Sequence, residues 1–240
     1  MSEEDRRDGW QPEGPKWAVL YGSYEGVERS ALHLVQSGVQ RFLPYVVPVR
    51  HGGDEPPVAD EHVVLMGTPD SNKWIGQLVG GAAIPPPPSP QGYTVACLES
   101  PFREGRRVLM VAGGGPAGVL HGAHELLARV LSDGVWPDLP ARSQDGYGTI
   151  GPVPMTSSLE KIPALATSGA PAIEYRGIWT WGYAIYDYRR FFDRMARLKM
   201  NMVTIWNNSV PLNANEVIEC AHARGIRVIM GFHWGWGRNE

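Results

Sequence analysis

Seven aromatic and polar residues in the last part of the chain have the side chains best suited to binding a ligand. They lie at or just after the ends of short apolar runs. A tryptophan ring offers a flat apolar face and one N–H donor, which suits stacking against the C–H face of a sugar, and amide and imidazole groups can hydrogen-bond sugar hydroxyls. The predicted substrate-binding residues are Trp179, Trp181, Asn207, Asn208, His233, Trp234 and Trp236.

The same residues also have simpler interpretations. The tryptophans could pack against one another and against neighbouring helices, and the two asparagines could serve only a turn and the entry into a helix. We favour a binding role because the residues lie at the ends of predicted strands, where barrel enzymes build their sites. Of Trp179 and Trp181 we expect one to face the mouth of the barrel and the other to pack outside it, and the same division for Trp234 and Trp236.

The elements that must position these residues repeat as strand, helix, strand, helix, strand between Glu174 and Gly237. Repeated units of this size indicate parallel strands, because a parallel pair needs a crossover connection. Asp187 and Asn213 are the predicted caps where the two helices begin, and Asn201 and Gly225 are the predicted stops. Asn213 is followed three residues later by a glutamate, which is the capping-box pattern.

The chain before this region predicts a mixed α/β unit. Its predicted strands are Trp17–Tyr21, Tyr45–Val49, His62–Met66, Tyr93–Glu99 and Arg107–Ala112. Helices are predicted from Val27, from Ser71 to Val79 with Ser71 or Asp70 as the cap, and from Pro116. The flanking prolines make the second strand an edge strand, and the last two strands could pair antiparallel.

A glycine-rich turn follows the last of these strands. Gly113, Gly115 and Gly118 spell G-x-G-x-x-G between a predicted strand and a predicted helix, which is the setting of a dinucleotide-binding turn. The segment after that helix, SDGVWPDLP, does not predict a strand, so Asp133 would not lie at a strand end beside a ribose. We therefore interpret the glycines as a tight turn and predict no cofactor; a nucleotide-binding protein is the second alternative.

Two histidines on the same helix invite a metal interpretation. The order here is H-x-x-H-E, at His121, His124 and Glu125, and it matches neither the H-E-x-x-H pattern of zinc proteases nor its inverted form. Cys97 and Cys220 lie far apart and have no metal-ligand spacing. The sequence predicts no metal site.

Composition excludes several classes of protein. The chain has 240 residues, 43% of them hydrophobic and 20% charged, which is typical of a protein with a packed core. A net charge of −3 provides no basic field for nucleic acid. No apolar run is long enough for a signal peptide or a membrane span, so we expect no membrane partner and a soluble cytoplasmic protein.

These patterns predict an α/β protein with four consecutive regions. Residues 1–15 form a disordered tail, residues 16–145 a mixed-sheet α/β accessory domain, residues 146–172 a linker, and residues 173–240 the first three strands of a TIM barrel. A closed barrel needs eight strands and about 200 residues or more. The sequence therefore predicts an incomplete barrel, as in the front part of a longer enzyme.

The order of several segments resembles glycoside hydrolase families 20 and 67. The segments are VLMGTPDSNKWI, GYTVACLE, RRVLMVAGGGPAGVLHGAHELLARVL, PAIEYRGIW and DYRRFFDRMARLKMNMVTIWNN, and together they cover most of residues 60–237. In those families a strand, a glycine-rich turn and a helix precede a P…YRG segment that opens the first barrel strand. The resemblance implies a hexosaminidase-like accessory domain and the start of an α-glucuronidase-like barrel, with a pair of asparagines after its second strand.

The chemistry of glycoside hydrolysis sets a further expectation. The reaction usually needs two carboxyl groups, or one with substrate assistance, at the strand ends. Here Glu174 lies at the opening end of its strand and Asp187 is a predicted helix cap. We therefore predict no catalytic residue in this chain, carboxylates beyond residue 240, and no activity for the chain alone. The main hypothesis is a glycoside hydrolase with a carbohydrate substrate, and the alternative is a non-catalytic glycan-binding module.

Overall fold

The structure, a computed structural model, describes residues 15–43, 45–53, 61–131, 158–207 and 213–231. Its described strands form two sheets, one of six strands and one of three. The strands of the first sheet are β1 (Lys16–Tyr21), β2 (Val49–His51), β3 (Glu61–Gly67), β4 (Tyr93–Glu99), β5 (Arg107–Gly113) and β6 (Leu165–Gly169). They lie in the order β2-β1-β3-β5-β4-β6.

The first sheet is mixed, as the sequence predicted. Strands β2, β1, β3 and β5 run parallel, and β4 pairs antiparallel with both β5 and β6. The antiparallel pairing of β4 with β5 was expected from the short connection between them. Gly105 in that connection has a φ of 70°, which glycine adopts without a steric cost. The α/β fold class is confirmed.

Helices cover both faces of this sheet, as the continuous buried runs of its central strands require. They are α1 (Gly26–Gln40), α2 (Lys73–Gly80) and α3 (Pro116–Glu125), and α3 continues into a π-helical turn, Leu126–Val130. Helices α1 and α3 pack on one face and α2 on the other. Pro116 occupies the first turn of α3, as predicted.

The predicted bounds of strand β2 were wrong, although its position at the edge of the sheet is confirmed. Residues 45–47 are held by Gln40, whose side chain donates to the carbonyl of Tyr45 and accepts from the N–H of Val47. The Tyr45 hydroxyl accepts a hydrogen bond from the N–H of Trp17. These side-chain bonds replace strand pairing before Val49.

The cap of helix α2 also differs from the prediction of Ser71 or Asp70. The cap is Asn72, which is fully buried and accepts a hydrogen bond from the N–H of Trp74 at 3.1 Å. Its side-chain N–H groups donate to the carbonyls of Leu20 and Met66. The Ser71 hydroxyl instead accepts from the N–H of Thr68 and shapes the turn before the cap.

Part of the predicted linker belongs to the first sheet. A 3₁₀ turn, Ser158–Lys161, precedes strand β6, which pairs with β4 at the second edge of the sheet. The sequence of β6, LATSG, has neither apolar alternation nor a β-branched run, so local pattern does not reveal it. The division of the chain into an accessory domain, a linker and a barrel region stays a prediction.

The second sheet has three parallel strands and carries the predicted strand–helix repeat. They are β7 (Gly177–Trp181), β8 (Met202–Trp206) and β9 (Arg227–Gly231), with helices α4 (Tyr188–Arg197) and α5 (Ala214–His222) between them. Both helices pack on one face of this sheet. The buried residues there are Phe192, Met195, Val203, Ile205, Val217, Ala221 and Ile226.

The predicted helix ends of this region were partly wrong. Asp187 caps α4 by accepting from the N–H of Arg190, and Gly225 has the predicted left-handed backbone with a φ of 67°. The left-handed residue after α4 is Lys199, with a φ of 58°, and not Asn201. Asn213 stands at the N-cap position of α5 but its side chain makes no capping hydrogen bond, because its backbone is turned away from the extended conformation of a cap.

The two sheets meet through polar contacts. Gln91, in the loop before β4, accepts from Arg176 Nη2 at 2.8 Å and donates to the carbonyl of Glu174. Lys199 Nζ lies 3.1 Å from the buried carboxylate of Glu125. Burial raises the pKa of Glu125, but hydrogen bonds from Lys199 and Tyr93 outweigh it, so the pKa lies below its usual value. Neutral and charge-assisted hydrogen bonds therefore join the two sheets, beside the packing of Ala196 of α4 into the core of the first sheet.

Within the part of the chain that the structure describes, no helix combines the length and the apolar character needed to cross a membrane.

Candidate functional site

Strand β7 presents two tryptophans on the face of the second sheet that the helices leave open. Its side chains alternate, so Ile178 packs towards the helices while Trp179 and Trp181 lie on the opposite face. The two indoles are 65% and 46% exposed. The prediction that one would pack outside was wrong, because the strand extends through Trp181 and places residues two apart on one face.

A third tryptophan completes this cluster. The register of the parallel strands places Trp206 of β8 opposite Trp181. The ring centroid of Trp206 lies 5.3 Å from that of Trp179 and 6.3 Å from that of Trp181, the second pair meeting edge to face. These distances are typical of favourable aromatic pairs. We call Trp179, Trp181 and Trp206 the tryptophan surface.

Trp206 was not among the predicted site residues. Its alternation with the buried Val203 and Ile205 places it on the open face of β8, and this signal is present in the sequence. Its contact with Trp179 and Trp181 depends on the pairing register of β7 and β8, which local pattern does not contain.

Two glycines allow side chains at this edge to lie against the backbone. A Cβ atom at Gly231 would lie 2.3 Å from the ring of Trp206, so the indole of Trp206 rests on strand β9 at a position where only glycine leaves room. A Cβ atom at Gly182 would lie 2.3 Å from the amide of Asn207. Both glycines therefore help to position the side chains of the second sheet.

Asn207 lies where the prediction placed it, at the carboxyl ends of the strands. Its N–H donates to the carbonyl of Gly231 at 3.0 Å, and its amide lies against Gly182, directly after Trp181. The Tyr188 hydroxyl lies 3.4 Å from the carbonyl of Gly182, and burial raises its pKa. Tyr188 packs with the helix-covered core, so the amide of Asn207 is the neutral hydrogen-bonding group that this edge offers near the indole rings.

The remaining predicted site residues lie outside the described residues. They are Asn208, His233, Trp234 and Trp236.

Carboxyl groups are absent from the three described strands of the second sheet. Asp187 is engaged as the cap of α4. Glu174 precedes β7, and its carbonyl accepts hydrogen bonds from Asn201 and Gln91 at the amino ends of the strands. Neither acidic residue is placed among the rings of the tryptophan surface.

The glycine turn is filled by the protein's own backbone. A Cβ atom at Gly114 would lie 2.1 Å from the carbonyl oxygen of Ser89, and one at Gly118 would lie 2.1 Å from that of Gly92. The N–H of Gly114 also donates to the carbonyl of Gly92 at 3.0 Å. The loop 89–92 thus occupies the space over this turn, which supports the interpretation of a tight strand-to-helix connection.

Of the two histidines of α3, His121 is buried and His124 is half-buried. His121 is 5% exposed, and one ring nitrogen, Nδ1, lies 2.9 Å from the carbonyl oxygen of Gln91. Burial lowers the pKa of His124 to about 4, with smaller contributions from the proximity of His121 and from the charge of Arg197. Among the described residues, no group of three or more histidine, cysteine or acidic side chains has an arrangement suited to a metal ion.

The fold described above resembles that of glycoside hydrolases. A GH138 enzyme targeting pectin rhamnogalacturonan II aligns with a TM-score of 0.51 and 14% sequence identity, over 90% of this chain and 24% of that one. A GH20 exo β-N-acetylglucosaminidase from Vibrio harveyi, in complex with N-acetylglucosamine, aligns with a TM-score of 0.42 and 12% identity, over 92% of this chain and 33% of that one. No protein-family model and no curated protein matches the chain.

The likeness to the GH138 enzyme concerns the fold, because the sequences share so few residues. The chain has a distant glycoside hydrolase-like fold and spans less than a third of that enzyme's length. The predicted resemblance to glycoside hydrolases is confirmed at this level, and membership of family 20 or 67 stays a prediction.

Proposed function

We propose that this chain is part of a carbohydrate-active enzyme, a glycoside hydrolase, and that the tryptophan surface binds a sugar of its substrate. The observation that supports this most is the placement of Trp179, Trp181 and Trp206 on one open face of a parallel sheet, near the carboxyl ends of its strands. In parallel α/β proteins, ligands bind at that edge.

The exposure of these rings leaves them available to a ligand on the open face of the sheet. Burying an apolar side chain of this kind stabilises a protein by roughly 2 kcal/mol, and Trp179 leaves 65% of its surface outside the core. The rings lie on the face opposite Phe192 and Met195, outside the helix-covered core of the second sheet. Indole faces near the amide of Asn207 match a ligand with both C–H faces and hydroxyl groups.

The architecture of the second sheet fits the beginning of a (β/α)₈ barrel. Its strands β7, β8 and β9 are adjacent in chain order and parallel, and both crossover helices lie on the same face. In a barrel the open face would point to the interior and the tryptophan surface to the mouth. The general acid and base would then come from residues beyond 240, since β7, β8 and β9 carry no carboxyl group.

A glycan-binding module without catalysis is the second candidate. The same lack of carboxyl groups on the three strands favours it, because stacking on tryptophan needs no acid or base. Hydrolysis separates the two candidates: an enzyme releases reducing sugar from its polysaccharide, whereas a module binds the polysaccharide and leaves it intact.

The tryptophan surface can be tested by affinity electrophoresis on gels that contain pectic or chitinous polysaccharide. Trp179→Ala should reduce the retardation of the chain. The binding constant derived from it should fall about tenfold, which corresponds to about 1.4 kcal/mol of binding free energy. Tyr24→Ala is the matched control, because Tyr24 is 52% exposed but lies in the first α/β unit. Equal retardation of Trp179→Ala and the unaltered chain on every retarding polysaccharide would contradict the proposed site.

A further inference from the structure

A second cleft lies at the opposite end of the three-stranded sheet. It has a volume of about 280 Å³ and separates the first turn of α3 from the amino ends of β7, β8 and β9. Its walls include Pro116, His121, Asn201 and Arg227. This volume falls just below the usual range for drug-sized ligands, about 300–1,000 Å³, so the cleft suits one small group.

The wall formed by α3 offers a backbone donor. The helix begins after Gly115, which has no side chain to cap it, and Pro116 has no N–H. The N–H of Ala117, a residue that lines the cleft, falls in the first turn, where no helical carbonyl precedes it. This N–H has no hydrogen-bond acceptor within the described part of the chain.

His121, one turn further along α3, is a buried side chain with one unused nitrogen. Its Nδ1 must carry the proton, because its partner at 2.9 Å is the carbonyl oxygen of Gln91. Burial lowers the pKa of His121, and the charges of Arg176 and Lys199 lower it further, although the hydrogen bond to the Gln91 carbonyl acts in the opposite direction. The ring is therefore neutral near pH 7. Its Nε2 is then a hydrogen-bond acceptor, and it has no partner among the described residues.

The opposite wall supplies a cation. The Arg227 guanidinium stacks on the Tyr175 ring at 5.0 Å, and no described carboxylate lies within ion-pair distance of it. Arg224 also lines the cleft but is paired with Asp193. The exposed Glu174 stands at the rim and opposes binding of an anion, so charge alone does not select the ligand.

We propose that this cleft binds a phosphate group that keeps one O–H. Oxygen atoms of the group accept from the first turn of α3 and from Arg227, while its O–H donates to Nε2 of His121. Inorganic phosphate and a phosphate monoester both satisfy this pattern. Sulfate has the same shape but is fully deprotonated near neutral pH and has no proton to donate to the histidine.

Calorimetric titration of the 240-residue chain with inorganic phosphate, sulfate and glucose 6-phosphate tests this site at constant ionic strength. We expect saturable phosphate binding, with sulfate weaker by about tenfold or more. Arg227→Gln should weaken phosphate binding by a similar factor. Arg189→Gln is the matched control, because Arg189 is an exposed arginine on α4 outside the cleft.

His121→Asn separates the role of the imidazole from folding. The asparagine amide can still donate to the carbonyl of Gln91, but the acceptor at Nε2 is lost, so phosphate should lose its advantage over sulfate.

Tighter binding of glucose 6-phosphate than of inorganic phosphate identifies a monoester as the ligand, and the reverse order identifies free phosphate. Absence of saturable binding, equal affinity for sulfate, or an equal loss in Arg189→Gln would overturn the proposal.

Discussion

At the scale of single residues, the buried imidazole of His62 serves as the hydrogen-bond partner of a backbone N–H group. His62 is 4% exposed and stacks on Trp17 with ring centroids 4.9 Å apart. Its Nδ1 accepts a hydrogen bond from the N–H of Arg107 at 2.8 Å. Burial, followed by the charges of Arg106 and Arg107, lowers the pKa of His62 from 6.5 to about 4. The folded protein therefore holds this imidazole neutral.

The lowered pKa of His62 predicts loss of stability in acid. His62 binds a proton near pH 6.5 in the unfolded chain and only near pH 4 in the folded protein. Its contribution to the free energy of unfolding is therefore complete above pH 6.5 and is lost as the pH falls towards 4. The loss should reach up to about 3 kcal/mol. Urea unfolding of the unaltered chain and of His62→Gln across this range measures it. A pH slope that is the same in both proteins would contradict the assignment to His62.

At the scale of elements, the entry into helix α2 shows how a cap also joins two strands. Asn72 accepts from the N–H of Trp74 and donates to the carbonyls of Leu20 and Met66, at the ends of β1 and β3. The Asn72 amide also packs against Gly52, where no larger residue fits, because a Cβ atom at Gly52 would lie 2.8 Å from the amide. Helix α2 is thereby fixed to the sheet at its first residue.

Replacing this cap should destabilise the protein far more than replacing its neighbour. Asn72→Ala removes the cap and both side-chain hydrogen bonds to the carbonyls of Leu20 and Met66, of which Met66 keeps the bond from the N–H of Gly22. The loss should cost about 3 kcal/mol in the free energy of unfolding. Asp70→Ala, at an exposed position two residues earlier, should change stability by less than about 0.5 kcal/mol. Denaturant unfolding of both variants checks this, and equal losses would show that Asp70 shares the capping role.

At the scale of the whole molecule, the two sheets are joined by a polar seam in which Gln91 is central. Its side chain accepts from Arg176 at 2.8 Å and from Asn201 at 3.3 Å, and donates to the carbonyl of Glu174 at 3.1 Å. Arg176 and Asn201 immediately precede β7 and β8. One side chain in a loop of the first sheet thus contacts the amino ends of two strands of the second.

Removing that side chain should weaken the coupling between the two sheets. Gln91→Ala loses three hydrogen bonds, and we expect unfolding to separate into two transitions, with about 2 kcal/mol lost from the second sheet. Gln77→Ala, an exposed glutamine on α2, is the control. Calorimetry resolves the transitions. A single transition with unchanged midpoint in Gln91→Ala would show that the seam contributes little.

The sequence by itself determined the elements whose residues repeat with a clear period. The apolar runs of β1, β3 and β5, the stripe of α1, the proline at the start of α3 and the strand–helix repeat after Glu174 are local patterns, and each is present in the structure. The position of the tryptophans at strand ends follows from the same patterns, since aromatic residues come at the end of β7 and β8.

Only the tertiary structure decided which residues meet. Strand β6 exists because β4 offers it an edge, although LATSG has no strand pattern of its own. Trp206 joins Trp179 and Trp181 through the register of β7 and β8, and the glycines at 113–118 meet the loop 89–92. Pairing register and loop contact arise from groups far apart in the chain, and a local period carries no information about them because it records only which face a residue occupies.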